Sequence, residues 1–266
     1  MVTNWLNLDD KVAVVTGAAS GIGSYIAREF SRNGANVVVA DMKVETRFAE
    51  DGIYHCHCDI TKREDVDMLI RQTLETFGKL DILVNNAGIN LPRLLVDYRG
   101  ERPEYELNEK DFDLMIAVNV KGTFLCAQAA AREMIKRKQG VIINISSECG
   151  QEGSVGQSCY AATKAAIMGF TRSWGKELGN FGIRVVGIAP GIVEKTNLRS
   201  DAYNEALAYT RNTTVEGLNT NYVKSIPLGR EGKLDEIAYL AAFLASDRAS
   251  YITGTTINIS GGKSRG

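Results

Sequence analysis

Histidine is nearly absent. Two occur in 266 residues, His55 and His57, both within the run His55-Cys56-His57-Cys58. A nucleophilic triad built on imidazole, or a metal site of several histidines, has almost no material to draw on. The run ends a predicted strand, where alternation sends the histidines to one face and the cysteines to the other, so no metal site is read there. Five cysteines is an odd number with no zinc-finger spacing, which fits reduced, mostly buried thiols. A charge excess is missing too: 31 basic and 32 acidic residues leave a net charge of −1, with both signs mixed throughout. That gives no support for nucleic acid or a membrane surface as the main partner. No apolar run approaches the length of a membrane span. The opening MVTNWLNLDDK has neither the basic stretch nor the apolar core of a signal peptide. The expectation is a soluble, cytoplasmic protein.

What is present is glycine, 26 residues of it, and a regular alternation of short apolar runs with helical patterns. Buried strands are predicted at 11–16, 36–40, 53–58, 80–84, 141–145, 183–188 and 255–259. Helices are predicted at 24–34, 61–77, 109 to about 138, up to about 178, and 233–245. Thr61 with Glu64 reads as a capping box, and Asn108 with Asp111 as a second helix start. Residues 89–108, with two of the four prolines, read as a loop insertion over the sheet edge. Residues 192–231 carry two short helical stretches and lie where a substrate lid belongs. No linker or repeat interrupts the pattern. The fold class is α/β: residues 1–266 form a single doubly wound, Rossmann-type domain, with a mostly parallel seven-stranded sheet and helices on both faces.

Several polar groups fall at the carboxyl ends of those strands. Gly17-x-x-x-Gly21-x-Gly23 follows the first strand and opens a helix. Glycines there let backbone approach a pyrophosphate, and a helix start offers free N–H groups and a positive dipole end; a plain structural turn is the other reading. Asp41 ends the second strand. An acid at that place accepts from both adenosine ribose hydroxyls and repels a 2′-phosphate, favouring NAD over NADP, although it is also suited to capping. Asp59-Ile60 follows the third strand, where adenine would lie, and Asn85-Asn86-Ala87-Gly88 ends the fourth. Asn119 sits in an apolar helix, which is costly unless its amide is hydrogen-bonded. Ser147 ends the fifth strand, and Tyr160 and Lys164 stand one helical turn apart. A tyrosine is a poor base at its ordinary pKa of about 10, and a neighbouring ammonium favours the phenolate. Ser147 is placed to orient and polarise the oxygen that exchanges the proton.

Taken in order, Thr16-Gly17-x-x-x-Gly21-Ile22-Gly23, Asn85-Asn86-Ala87-Gly88, Asn119, Ser147, Tyr160-x-x-x-Lys164 and Pro190-Gly191 resemble the motif set of the classical short-chain dehydrogenases/reductases. The resemblance implies a nicotinamide cofactor, NAD, and a homotetramer. It implies cofactor contacts from Gly17, Ser20, Gly21, Ile22, Gly23, Asp41, Asp59, Ile60, Asn86, Ala87, Gly88, Tyr160, Lys164, Pro190, Gly191 and Val193. Tyr160 would be the acid/base, with Lys164 binding the nicotinamide ribose and lowering the Tyr160 pKa. Ser147 would hold the substrate oxygen, and Asn119 a proton-relaying water. Over 145–266 the chain resembles more narrowly the sorbitol-6-phosphate 2-dehydrogenase subfamily, which implies a sugar-alcohol phosphate as substrate.

A phosphomonoester needs cations. The lid offers Lys195, Arg199, Arg211 and Lys224, and the tail Lys263 and Arg265, which in a tetramer would reach a neighbour's site. Each is equally readable as a solvated surface charge. Glu148 and Glu152 are candidate acceptors for sugar hydroxyls that keep the phosphate toward the lid. Cys149 and Cys159 flank the site and are read as packing groups. The open alternatives are a dehydrogenase of another polyol or of a 3-hydroxyacyl compound, and a non-catalytic NAD sensor.

Overall fold

The β-branched runs form strands and the amphipathic stretches between them form helices. In chain order these are β1 (Val12–Thr16), α1 (Gly21–Arg32), β2 (Asn36–Asp41), β3 (Arg47–Phe48), β4 (Tyr54–His57), α2 (Arg63–Phe77) and β5 (Ile82–Asn85). Next, α3 (Glu109–Met115) runs through a π-helical stretch (Ile116–Gly122) into α4 (Thr123–Arg137). Then follow β6 (Gly140–Ile145), α5 (Cys149–Glu152), α6 (Ser158–Leu178), β7 (Ile183–Pro190), α7 (Asp201–Thr210), α8 (Val215–Ser225), α9 (Leu234–Ala245) and β8 (Thr256–Ile259). The computed structural model describes residues 5–196 and 199–264, the side chains of 219–223 excepted.

The strands make one sheet in the order β3-β4-β2-β1-β5-β6-β7-β8. The chain winds outward from β1 through β2 to β4, then restarts on the other side of β1 with β5. That reversal opens a crevice at the carboxyl ends of β1 and β5. The sheet has eight strands rather than the seven expected. The additional one, β3, is two residues long and pairs antiparallel with β4, Arg47 opposite His55 and Phe48 opposite Tyr54. Phe48, Tyr54 and Phe77 pack ring against ring at this edge, with Phe48 and Tyr54 4.9 Å apart.

Alternation along each strand feeds two cores. Ala13, Val15, Val37 and Val39 join Ile26, Phe30, Ile237 and Ala241 of α1 and α9. Val14, Val38 and Ala40 join Val66, Leu69, Leu125 and Met134 of α2 and α4 on the other face. The run from Glu109 to Arg137 is long and apolar enough as a helix to cross a membrane, contrary to the sequence expectation. Half of its most apolar window is buried inside the protein, as in a core helix.

Two predicted caps have different outcomes. Asn108 accepts from the Asp111 amide at 2.9 Å, as its position implied. Thr61 does not cap α2, which starts two residues later; its hydroxyl and amide both bind Asp59. The insertion after β5 does more than cover an edge, because it grips the lid. Tyr209 of α7 donates to Asp97 at 2.8 Å, and the Arg99 guanidinium stacks 3.9 Å above the Tyr209 ring while also bonding its carbonyl.

Candidate active site

A cleft of about 1000 Å³ runs across the carboxyl ends of the strands, from Asp41 and the glycine turn to the lid and tail. Its first half is backbone held close to backbone. Gly17 has φ +63°, and a Cβ there would lie 2.6 Å from Ala87 Cα. A Cβ at Gly23 would lie 2.4 Å from Asn86 Nδ2 and 2.7 Å from the Gly17 carbonyl. Asn86 ties the turn down by donating to the Thr16 and Gly17 carbonyls at 2.9 and 3.0 Å. The Thr16 hydroxyl in return accepts the Asn86 and Ala87 amides. The start of α1 therefore faces the cleft at Gly21, with positive potential from its free amides. Asp41 accepts from the Ala19 amide at 3.1 Å and the Lys43 amide at 3.0 Å, which fixes its carboxylate beside the glycine turn.

The second half is built by β6, α5 and α6. Of the adjacent serines at the end of β6, Ser146 turns inward, its hydroxyl donating to the Lys164 carbonyl at 2.8 Å. Ser147 faces the cleft, its hydroxyl accepts from the Cys149 amide at 3.3 Å, and it favours the ionised form of the Tyr160 phenol. One turn along α6, Lys164 lies 5.7 Å from the centre of the Tyr160 ring and donates to the Ile145 carbonyl at 2.8 Å.

Burial governs both titrations. It pushes Lys164 down to about 8 and Tyr160 above its ordinary value, with the ionisable groups of Cys149 and Tyr203 adding to the tyrosine shift. The lowering of Tyr160 expected from Lys164 does not emerge: desolvation sets the direction, and Ser147 is what opposes the rise. Asn119, in the π-helical stretch, has its amide fully engaged. Its oxygen accepts from the Ile89 amide at 2.8 Å, and its nitrogen donates to the Ile89 carbonyl at 2.9 Å and the Thr163 hydroxyl at 3.0 Å.

The outer wall comes from the lid and tail. Tyr203 of α7 accepts from Gln157 at 3.0 Å and from Asn90 at 3.4 Å. Arg211 donates to the Ser154 hydroxyl at 2.9 Å and to Gln157 at 3.4 Å. Lys263 reaches back to Glu148 at 2.6 Å.

Residues 11–206 match the short chain dehydrogenase family model. The chain belongs to the short-chain dehydrogenase family. It is 54% identical over 267 residues to a sorbitol-6-phosphate 2-dehydrogenase of Klebsiella pneumoniae, covering 100% of both chains. It is 37% identical to a 3-oxoacyl-[acyl-carrier-protein] reductase of Thermotoga maritima, over 97% of this chain and 99% of that one. The crystal structure of a 3-ketoacyl-(acyl-carrier-protein) reductase from Brucella melitensis complexed with NADH superposes with a TM-score of 0.81 at 31% identity, over 97% of this chain and 100% of that one.

In this short-chain dehydrogenase the cleft is lined by Gly17, Ser20, Gly21, Ile22, Asp41, Asn86, Gly88, Pro190, Gly191, Val193, Ser147, Tyr160 and Lys164. Gly23, Ala87 and Asn119 lie behind that lining and hold it in shape. Asp59 and Ile60 are also set back; Asp59 serves Thr61, and Ile60 packs against Gly122. Among the substrate candidates, Glu148, Glu152, Arg199, Arg211 and Lys263 line the cleft. Lys195 and Lys224 are exposed and do not line it, and Arg265 lies outside the described residues. Arg199 pairs with Glu231 at 3.6 Å. Lys263 of the tail approaches the cleft of its own chain. Asn90, Ser154, Gln157 and Tyr203 also line the cleft, and the sequence reading missed them. Of the two flanking cysteines, Cys149 lines it; burial raises the pKa of both thiols. Among the described residues no three His, Cys, Asp or Glu side chains gather as a metal would require.

Proposed function

We propose that this chain is an NAD-dependent oxidoreductase that interconverts D-sorbitol 6-phosphate and D-fructose 6-phosphate. The observation that carries the reading is the 54% identity, end to end, with the Klebsiella sorbitol-6-phosphate 2-dehydrogenase. The cleft fits the cofactor on its own terms. The close approach at Gly17 and Gly23 leaves backbone where a pyrophosphate needs it, and the α1 amides face that place. Asp41 presents a fixed carboxylate to a ribose diol and a repulsive one to a 2′-phosphate. NAD, when bound, supplies the hydride acceptor for alcohol oxidation.

The side chains divide the remaining work. Ser147 holds the substrate oxygen in line with Tyr160. Tyr160 takes the hydroxyl proton as the carbonyl forms and returns it in the reverse direction. Lys164 holds the positive charge that makes a phenolate tolerable in so dry a site, and its position beside Ser147 and Tyr160 also suits a ribose hydroxyl. Asn119 keeps Ile89, and with it the loop after β5, against α6. Arg211 and Arg199 supply the positive wall for the phosphate. The enzyme operates in the cytoplasm as a homotetramer.

The test is kcat/KM with NAD for sorbitol 6-phosphate against free sorbitol under identical conditions. A preference of about 100-fold or more for the ester is expected, the worth of charge-assisted phosphate contacts. Equal rates on the two, or none on either, would discard this substrate and direct assays to other polyols and 3-hydroxyacyl compounds.

A further inference from the structure

The loop after β5 holds the last turn of α7 through ring, hydroxyl and backbone at once. The Tyr209 hydroxyl donates to Asp97 at 2.8 Å, and its carbonyl accepts from the Arg99 guanidinium. The Tyr209 ring lies 3.9 Å from that guanidinium and 5.4 Å from the Tyr105 ring. Arg99 also donates to the Asn212 side-chain oxygen at 3.1 Å. Asn212 takes the left-handed backbone conformation, φ +51°, which asparagine tolerates better than most residues. The loop side of this contact is braced in turn. Asp97 is buried; its amide donates to Glu106 at 2.7 Å, and its carboxylate accepts the Arg102 amide at 3.1 Å.

Asp97, Arg99 and Tyr209 do not line the cleft, whereas Arg211 does. Arg99 engages Tyr209 and Asn212, so it holds the chain on both sides of Arg211. The loop between α5 and α6 supplies a second support. Gly156 lies so close to Thr210 that a Cβ has no room there, and its carbonyl accepts the Arg93 amide at 2.7 Å. From the same loop, Ser154 and Gln157 receive the Arg211 guanidinium. Three segments distant in sequence thus converge on one arginine. A guanidinium binds an oxyanion through a planar fork, so its orientation decides its worth.

We infer that Asp97 and Arg99 are positioning residues: through Tyr209 and Asn212 they hold Arg211 at the phosphate end of the cleft. The loop after β5 then sets the preference for a phosphorylated substrate without touching it. The assignment rests on the sugar-phosphate reading above.

Arg99→Met removes both bonds that flank Arg211. Its kcat/KM for sorbitol 6-phosphate is expected to fall roughly 10-fold, carried by KM, the low end for hydrogen bonds to a charged group. Tyr209→Phe deletes only the bond to Asp97 and keeps the ring, so it reports even if Arg99→Met fails to fold; a fall of about 5-fold is expected. KM for NAD should stay within about twofold in both, because the clamp lies outside the cleft. The deciding step repeats the two substitutions in Arg211→Met, itself expected to lose about 100-fold in kcat/KM. There each should change kcat/KM by less than about twofold, since the group they position is gone, whereas a merely structural clamp would cost as much as before. With wild-type turnover of the sugar phosphate intact, any of three results overturns this assignment alone: an unchanged KM in Arg99→Met and Tyr209→Phe, an unchanged KM in Arg211→Met, or a full repeat of the losses in the Arg211→Met background. Absence of wild-type turnover overturns the reading above and this assignment with it.

Discussion

Lys164 is held where its charge is least comfortable. It is 5% exposed, and its ammonium has the Ile145 carbonyl as a partner. Burial brings its pKa from 10.5 to about 8. At neutral pH it is still protonated, so the folded protein carries a penalty of roughly 3 kcal/mol. The sign follows from linkage. Below about pH 8 both folded and unfolded chains hold the proton, and the penalty is fully present. Between about 8 and 10.5 the folded chain gives up its proton first, and the penalty fades. Lys164→Met should therefore abolish turnover yet stabilise the cofactor-free protein at pH 7 by about 2 kcal/mol, some of the gain being lost with the Ile145 hydrogen bond. Urea unfolding at pH 7 and pH 9.5 measures it: the gap between variant and wild type should shrink at the higher pH. A constant gap would mean that packing, not charge, sets the difference.

At the scale of elements, the π-helical stretch between α3 and α4 is the piece that joins fold to site. Its wider turn carries Asn119, whose amide clamps Ile89 from both sides and reaches Thr163 on α6. Asn119→Ala would leave the Ile89 amide and carbonyl without their partner and α6 without a tie to that loop. Stability should fall by about 1–3 kcal/mol, and kcat should fall further than KM rises, because the alignment of Tyr160 and Lys164 on α6 is what loosens. A normal kcat in a protein destabilised to that extent would make Asn119 a structural residue only. The sequence marked this asparagine, since a polar residue in an apolar run stands out, but the π geometry has no composition signal. Similarly, the missed strand β3 is too short for alternation to register, and Thr61 fitted a cap until Asp59 took its hydroxyl. The lid wall was hidden for another reason. Asn90, Gln157 and Tyr203 are ordinary polar residues in three separate segments, and only the fold brings them together.

The whole molecule is polarised along its strands. The carboxyl ends carry the glycine turns, the cleft and the buried Lys164, while the amino ends carry a buried carboxylate and its ion pairs. The motifs made the first end legible, because glycines, Tyr160-x-x-x-Lys164 and strand-end polar residues have fixed offsets in the chain. The second end has no motif. Its centre is Asp81, 3% exposed at the start of β5, which accepts from the Val12 amide at 2.9 Å and so locks β5 to β1 beside their own backbone pairing. Lys79 lies 3.4 Å from one carboxylate oxygen and Arg137 2.9 Å from the other. Both cations are about one-third exposed, so water would take them up if the acid were removed. The uncompensated loss would fall on the buried Val12 amide instead. Asp81→Ala should lower stability by about 2–4 kcal/mol, the sum of an orphaned amide and a broken, partly screened ion pair. Because the cleft lies at the other end of the same strands, kcat/KM for the natural substrate should stay within about twofold at temperatures where the variant is folded. Chemical unfolding and steady-state rates on one preparation decide the matter. A large fall in kcat/KM with unfolding unchanged would show that the amino end of the sheet governs the cleft at the other, and that fold and site cannot be treated as separable.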